Sequence, residues 1–287
     1  MKILVTGATG HIGTAVIETL LHKMPAQEIV AFARDEAKAT VLKAKGVGIC
    51  TGNYNDAGSL ANAMQGIDKL LLVSSSDPSG RLQQQLNVID VARQHGVRCI
   101  AYTSRSLRDR NTLANQMMVE HFETEDYIKQ SGLPYTIFRN ALYMDTVPLF
   151  VGKEVFEKGF MLPAGEGKVA FALRKEMGEA IANVLAAEDC ENKTYQFTGG
   201  EAYSYYDVAG ALSKLTGKMV AYTAVDAESF RKQMLPTGIP EMRLNMTIAF
   251  QTDIANGQEA MVTNELEEKL GRKPAGLYQG LQTLFGL

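Results

Sequence analysis

Between an apolar run and a helical pattern near the start of the chain lies Thr6-Gly7-Ala8-Thr9-Gly10-His11-Ile12-Gly13. Glycines at this spacing suit a turn wrapped around phosphate. Gly7 permits the tight bend, Gly10 lets backbone approach a pyrophosphate, and Gly13 lets helix and strand pack closely. The helix that follows begins with unpaired N–H groups and the positive end of its dipole. Thr6, Gly7, Thr9, Gly10, His11, Ile12 and Gly13 are therefore the expected pyrophosphate contacts of a bound dinucleotide. The second strand then ends in Arg34, 21 residues beyond Gly13, where an NAD site usually carries a carboxylate for the ribose hydroxyl. A guanidinium there suits a 2′-phosphate through forked, charge-assisted bonds. Lys38, one turn into the next helix, supplies a second cation. The expected cofactor is NADPH. Asp35 follows Arg34 directly, and a surface ion pair between the two is the plainer alternative.

The chemistry that is missing narrows the reading further. Carbonyl reductases built on such a turn usually carry Tyr-x-x-x-Lys, yet none of the 11 tyrosines has a lysine four residues on. Tyr135 and Arg139 come nearest, but they fall in an expected strand and would not share a helical face. There is also no H-E-x-x-H, Walker A loop or G-x-S-x-G. No metal site and no catalytic acid are expected. Hydride transfer achieved by positioning alone would suit an acceptor that asks little of a protein proton, such as a quinone or a carbocation.

The elements that must position this turn alternate along the first half. Apolar runs at 3–5, 29–32, 70–73 and 100–102 are continuous in the way a strand covered on both faces requires. Helical patterns at 12–22, 36–45, 59–64, 82–95 and 117–131 separate them, with Gly96 and Gly132 placed as C-terminal caps. Strand and helix in alternation predict an α/β fold, a Rossmann-type doubly wound parallel sheet. The rhythm changes after Arg139. Helices are expected at 175–187, 206–215 and 227–235, and strands near 195–197 and 219–222. This predicts a dinucleotide-binding domain over 1–140, joined by elements returning from later in the chain, with a smaller α/β substrate lobe over 141–287 packed on it.

Composition bounds the class. The 287 residues are 46% hydrophobic and 21% charged, ordinary for a globular chain and wrong for disorder. A net charge of −3 without a basic run argues against nucleic acid as a partner. No apolar stretch approaches the roughly 18 residues of a membrane span, and residues 1–7 enter structure at once rather than forming a signal peptide. Cys50, Cys99 and Cys190 are odd in number and far apart, so they are expected to be buried or idle thiols in a reducing compartment. A cytoplasmic location follows. A dimer face would draw on the same apolar residues as a core, so monomer and homodimer fit equally.

These residues together resemble the NmrA-like family of atypical short-chain dehydrogenase/reductases. The likeness is carried by the glycine turn, Phe32-Ala-Arg-Asp35, Gly52-Asn-Tyr-Asn-Asp56, Ala101-Tyr-Thr-Ser104, His121-Phe-Glu-Thr-Glu125 and the run Pro134 to Tyr143. It covers nearly the whole chain and is strongest toward members that reduce triphenylmethane dyes and quinones. The resemblance implies reduction of bulky aromatic acceptors by NADPH. It places Asn53 and Tyr54 near the adenine, although an Asp is common where Asn53 stands. It sets Ser74, Ser75 and Ser76 along the cofactor ribose and Ser104 near the nicotinamide. Asn140, Ala141, Tyr143, Met144 and Phe150 become the wall and lid of a substrate cavity.

Two groups read in more than one way. His121 and Glu125 lie four residues apart on an expected helix and could pair; His121 is taken as a structural or cofactor-edge residue rather than a proton donor. The stretch from Tyr143 through Phe150, Phe156, Phe160, Met161 and Phe171 is core by default, or in part an adaptable apolar lid over a flat ligand. The functional expectation is an NADPH-dependent reductase that passes hydride to a large aromatic acceptor. The rival from another class is a non-catalytic NADP(H)-binding redox sensor that regulates a protein partner.

Overall fold

A computed structural model of the chain describes residues 1–75, 77, 80–187 and 189–287. The first half runs β1 (Ile3–Val5), α1 (His11–Leu20), β2 (Ile29–Ala33), α2 (Glu36–Ala44), β3 (Gly48–Thr51), α3 (Ala57–Ala63), β4 (Lys69–Leu72), α4 (Arg81–Gln94), β5 (Cys99–Arg105), α5 (Val119–Gln130) and β6 (Tyr135–Asn140). The second half adds α6 (Val147–Val151), α7 (Val155–Lys158), β7 (Phe160–Leu162), β8 (Lys168–Val169), α8 (Arg174–Leu185), β9 (Lys193–Phe197), β10 (Tyr203–Ser204), α9 (Tyr205–Thr216) and β11 (Tyr222–Ala224). Four helices close it: α10 (Ala227–Met234), α11 (Glu241–Ala255), α12 (Glu265–Leu270) and α13 (Leu277–Phe285). Seven strands form one sheet in the order β3-β2-β1-β4-β5-β6-β9, every neighbouring pair parallel. This is the doubly wound α/β architecture that the alternating pattern predicts.

Continuous apolarity in the inner strands has its cause in the two covered faces. On one face Ile3 and Val5 meet Ile12, Val16 and Ile17 of α1 and Met177 and Ile181 of α8. On the other, Leu4, Leu70 and Leu72 pack with Val88 and Ile89 of α4 and Ile128 of α5. Each such side chain contributes about 1.5–3 kcal/mol relative to exposure. The helices α1 and α8 touch closely because Gly178 faces Ala15, where a methyl would collide with the Ala15 side chain. Asp35, Asp56 and Ser204 cap α2, α3 and α9 through side-chain oxygens. Gly96 and Gly132 hold φ of 68° and 79° just beyond α4 and α5, as expected of caps.

The later segments carry a second apolar cluster, with Phe160, Phe171, Tyr205, Leu212, Tyr222, Ile254 and Leu281 buried together. Two small sheets frame it, β7 with β11 and β8 with β10. The strand expected near 219–222 lies a little later, because Met219 faces solvent and the chain turns inward at Tyr222.

The cysteines correct an expectation. Cys99, at the start of β5, is bonded to Cys190 in a disulfide, and only Cys50 is a free thiol. Residues 91 apart meet because the segment leading into β9 arrives beside the amino end of β6, one strand from β5. The argument from idle thiols to a reducing compartment falls with it. No helix among the described residues is long and apolar enough to cross a membrane.

Candidate active site

The first strand runs straight into the glycine turn, and the turn is closed by its own backbone. Gly7 holds φ of 57°, in the left-handed region, and its carbonyl accepts from the Gly10 amide at 2.9 Å. A methyl at Gly13 would run into that same carbonyl oxygen, so helix and turn meet this closely only with glycine there. Gly10 caps α1 without any side-chain bond, which leaves the first-turn amides turned toward whatever lies before them.

A cavity of about 540 Å³ opens at this point, at the carboxyl ends of β1, β2 and β4. Gly7, Thr9, Gly10, Arg34, Lys38, Asn53, Tyr54, Ser74 and Ser75 line it, bringing together residues from four separate stretches of sequence. Thr6, His11, Ile12, Gly13 and Ser104 do not. Thr6 is fully buried: its hydroxyl donates to the Leu71 carbonyl and accepts from the Val73 amide, stitching β1 to β4 beneath the cavity. Ile12 and Gly13 belong to the packing under the turn, and His11 is exposed at the start of α1. Ser76 lies outside the described residues.

Charge in the cavity is arranged for an anion at its β2 end. Arg34 and Lys38 are exposed in the lining, and neither makes an ion pair among the described residues. The pair with Asp35 does not form, because the Asp35 carboxylate accepts from the Ala37 amide at 2.9 Å and caps α2. Across the cavity, the Ser74 hydroxyl is buried and, among the described residues, makes no hydrogen bond of normal geometry. An unsatisfied buried hydroxyl is costly, so a ligand oxygen opposite it would be stabilised. A closed glycine turn, two unpaired cations and an orphaned hydroxyl in one cleft fit a phosphorylated dinucleotide. Tyr54 contributes its ring: it stacks on Phe32 with centroids 6.2 Å apart and donates to the Val73 carbonyl. Burial pushes its phenol up to about 12.

Several lining residues carry no motif that would betray them in sequence. Gln84, in the first turn of α4, accepts from Ser75 and donates to Asp77, shaping the loop after β4. Its signal is position alone, the first turn of a helix after a parallel strand.

Beyond the cavity, at the carboxyl ends of β5 and β6, polar side chains are committed to one another. The buried Ser104 hydroxyl donates to Glu125, which also takes both arms of the Arg139 guanidinium. His121 does not pair with Glu125. Its Nδ1 meets the Tyr102 hydroxyl at 3.0 Å, and that hydroxyl also reaches Gln85 at 3.2 Å. Burial, with Arg81 and Arg105 nearby, holds the His121 imidazole well below its usual range, and burial pushes the Tyr102 phenol up. Neither His121 nor Tyr102 is poised to give up a proton near neutral pH.

The expected substrate wall is divided. Asn140 is fully buried, donates to the Tyr143 hydroxyl at 3.4 Å and leaves its carbonyl oxygen unpaired. Tyr143 is half-buried, with the Arg174 guanidinium 4.8 Å above its ring. Met144 corrects the expectation of a cavity residue: it is fully buried and packs on Gly280 of α13. Ala141 is likewise core, and Phe150 is half-buried against the second apolar cluster. Of the aromatic stretch, Phe160 and Phe171 are core as well.

Sheet order, glycine turn and cleft define a dinucleotide-binding α/β protein of the short-chain dehydrogenase/reductase kind. Residues 1–285 match the NmrA-like family, and the chain belongs to it. Quinone oxidoreductase 2 of Escherichia coli (strain K12) is 35% identical over 286 residues, covering 99% of both chains. A crystal structure of an Escherichia coli NADPH-dependent quinone oxidoreductase complexed with NADPH superposes with a TM-score of 0.93 at 34% identity, covering 99% of each chain. Triphenylmethane reductase from Citrobacter sp. superposes with a TM-score of 0.92 at 32% identity over 100% of each chain.

Proposed function

We propose that this chain passes hydride from NADPH directly to a bulky, hydrophobic aromatic acceptor, a quinone or a triphenylmethane-type cation. The chain is an NADPH-dependent oxidoreductase, as its family, its relatives and its cleft agree. Bound NADPH supplies the hydride. The chain's own residues bind and orient: the turn from Gly7 to Gly13 with the α1 amides for the pyrophosphate, Arg34 and Lys38 for the 2′-phosphate, Ser74 and Ser75 for the ribose. Asn53 and Tyr54 suit the adenine side, and Asn140 and Tyr143 suit the acceptor side.

The observation that carries this reading is that the hydroxyls of β5 are committed to partners within the fold. At the strand ends nearest the acceptor side, Ser104 is spent on Glu125 and Tyr102 on His121 and Gln85. A ketone needs its oxygen protonated as hydride arrives. A carbocation needs no proton at all, and a reduced quinone takes its proton from water. Catalysis is then largely a matter of holding the acceptor carbon within about 3–3.5 Å of the donor carbon.

The test is NADPH oxidation, with NADH in parallel, against a cationic triphenylmethane dye, a benzoquinone and a simple ketone. Turnover with dye or quinone but not ketone, and a preference for NADPH, supports the reading. Tight NADPH binding with no turnover on any acceptor moves the weight to a redox sensor.

A further inference from the structure

We infer that Arg174 sets the charge preference of the acceptor site, turning it against cationic aromatics and toward neutral quinones and anionic ones. The inference rests on the reading of Tyr143 as an acceptor wall. Tyr143 follows the carboxyl end of β6 and forms a bridge with Ala172, and the Ala172 carbonyl accepts from the Met144 amide at 2.9 Å. This pairing draws the first residue of α8 to the ring. The Arg174 guanidinium lies over the Tyr143 face, 4.8 Å from its centroid.

That placement has two consequences. One face of the ring, which would otherwise attract a cationic dye, is already occupied by a cation. The cation also has no ion-pair partner of its own. Among the described residues the Arg174 side chain makes no ion pair and no hydrogen bond. The nearby Asp145 carboxylate is taken by the Arg174 backbone amide at 2.9 Å, and Glu176 is taken by Arg272 and the Ala275 amide. A half-buried guanidinium is weakly screened. It opposes the approach of a cation and favours an acceptor on which negative charge grows. In the redox step the acceptor gains two electrons and one hydrogen as hydride, while NADPH leaves as NADP⁺. A quinone becomes the hydroquinone monoanion and then takes a proton from water; a carbocation ends neutral. Only the first builds anionic charge beside Arg174.

The experiment uses three naphthoquinones sharing one reacting ring: unsubstituted, sulfonated, and bearing a quaternary ammonium group. kcat/KM is measured for the unaltered protein, Arg174→Gln and Arg174→Lys, with NADPH affinity as the check on folding. The ratio of sulfonated to ammonium substrate is expected to fall about tenfold in Arg174→Gln and to be largely restored in Arg174→Lys. A ratio that stays unchanged in Arg174→Gln, with the quinones still reduced, overturns the role of Arg174 and leaves the proposed function standing. No reduction of any naphthoquinone or dye by the unaltered protein removes the proposed function and this selection with it.

Discussion

The Ser104 hydroxyl donates to Oε1 of Glu125 at 2.6 Å, and the Arg139 guanidinium grips the same carboxylate with N–H bonds of 2.8 and 2.6 Å. One buried acid thus ties β5, α5 and β6 together just below the acceptor side. It also keeps the serine proton where it is. On the proposed function, this carboxylate organises the acceptor wall rather than the reaction.

Replacing Glu125 with Gln leaves Arg139 without its counter-charge and Ser104 without its strong acceptor. Breaking a buried pair from one side costs about 3 kcal/mol or more. Ser104→Ala, which spares the ion pair, is expected to cost about 1 kcal/mol. Denaturant unfolding of both variants checks the order. Equal losses would show that the carboxylate does not organise this corner.

His121 gives the fold a pH dependence of known sign. Its native pKa lies well below 6.5 because burial and the cations Arg81 and Arg105 disfavour the imidazolium. Below pH 6.5 the unfolded chain therefore binds the proton and the native state does not. The contribution of His121 is fully present above pH 6.5 and is lost as pH falls, by about 1.4 kcal/mol per unit until the native pKa is reached. Glu259, raised by burial against Arg105, acts oppositely: its contribution is full below 4.5 and fades as pH rises from there. The difference between the unaltered chain and His121→Gln isolates the histidine. Stability curves from pH 7 to 5 are expected to diverge in slope, and parallel curves refute the assignment.

Much of the fold is legible in the sequence, and the reasons for the gaps are physical. The strands β1, β2, β4 and β5 announce themselves because both faces are covered. The edge strand β3, with its exposed ends, does not read as an apolar run. Gly7, Gly10 and Arg34 are visible because phosphate imposes spacing on backbone and charge. Ser104, Glu125 and Arg139 come from three elements, and nothing in their spacing says that they meet. Met144 carries the same adaptable side chain whether it lines a cavity or fills a core. Only the approach of Gly280 decides that it fills one.

The disulfide was hidden for the same reason. Cys99 and Cys190 become neighbours only through the strand order β5-β6-β9. A bond closing a loop this long restricts the unfolded chain and stabilises by about 4.6 kcal/mol at most. Reduction with a thiol reagent, or the double change of Cys99 and Cys190 to Ala, is expected to lower the midpoint of unfolding. The cofactor cleft lies at the carboxyl ends of the strands, whereas Cys99 stands at the amino end of β5, so NADPH affinity is expected to hold. Loss of NADPH binding together with stability would show that the two ends of the sheet are coupled.

Arg34 offers the sharpest test of the cleft. It lines the cavity, makes no ion pair among the described residues, and stands with Lys38 at the end where Asp35 is occupied in capping α2. A guanidinium bound to a 2′-phosphate makes charge-assisted bonds that NADH cannot supply. Arg34→Ala is therefore expected to lower kcat/KM for NADPH by about 10- to 100-fold, the equivalent of about 1.5–3 kcal/mol, while that for NADH changes little. Arg34→Lys, which keeps the charge but not the fork, falls between the two. Lys38→Ala is expected to show a smaller loss in the same direction, since an exposed ammonium one helical turn away acts as a point charge alone. An equal fall for both cofactors would mean that Arg34 shapes the cleft without reading the phosphate.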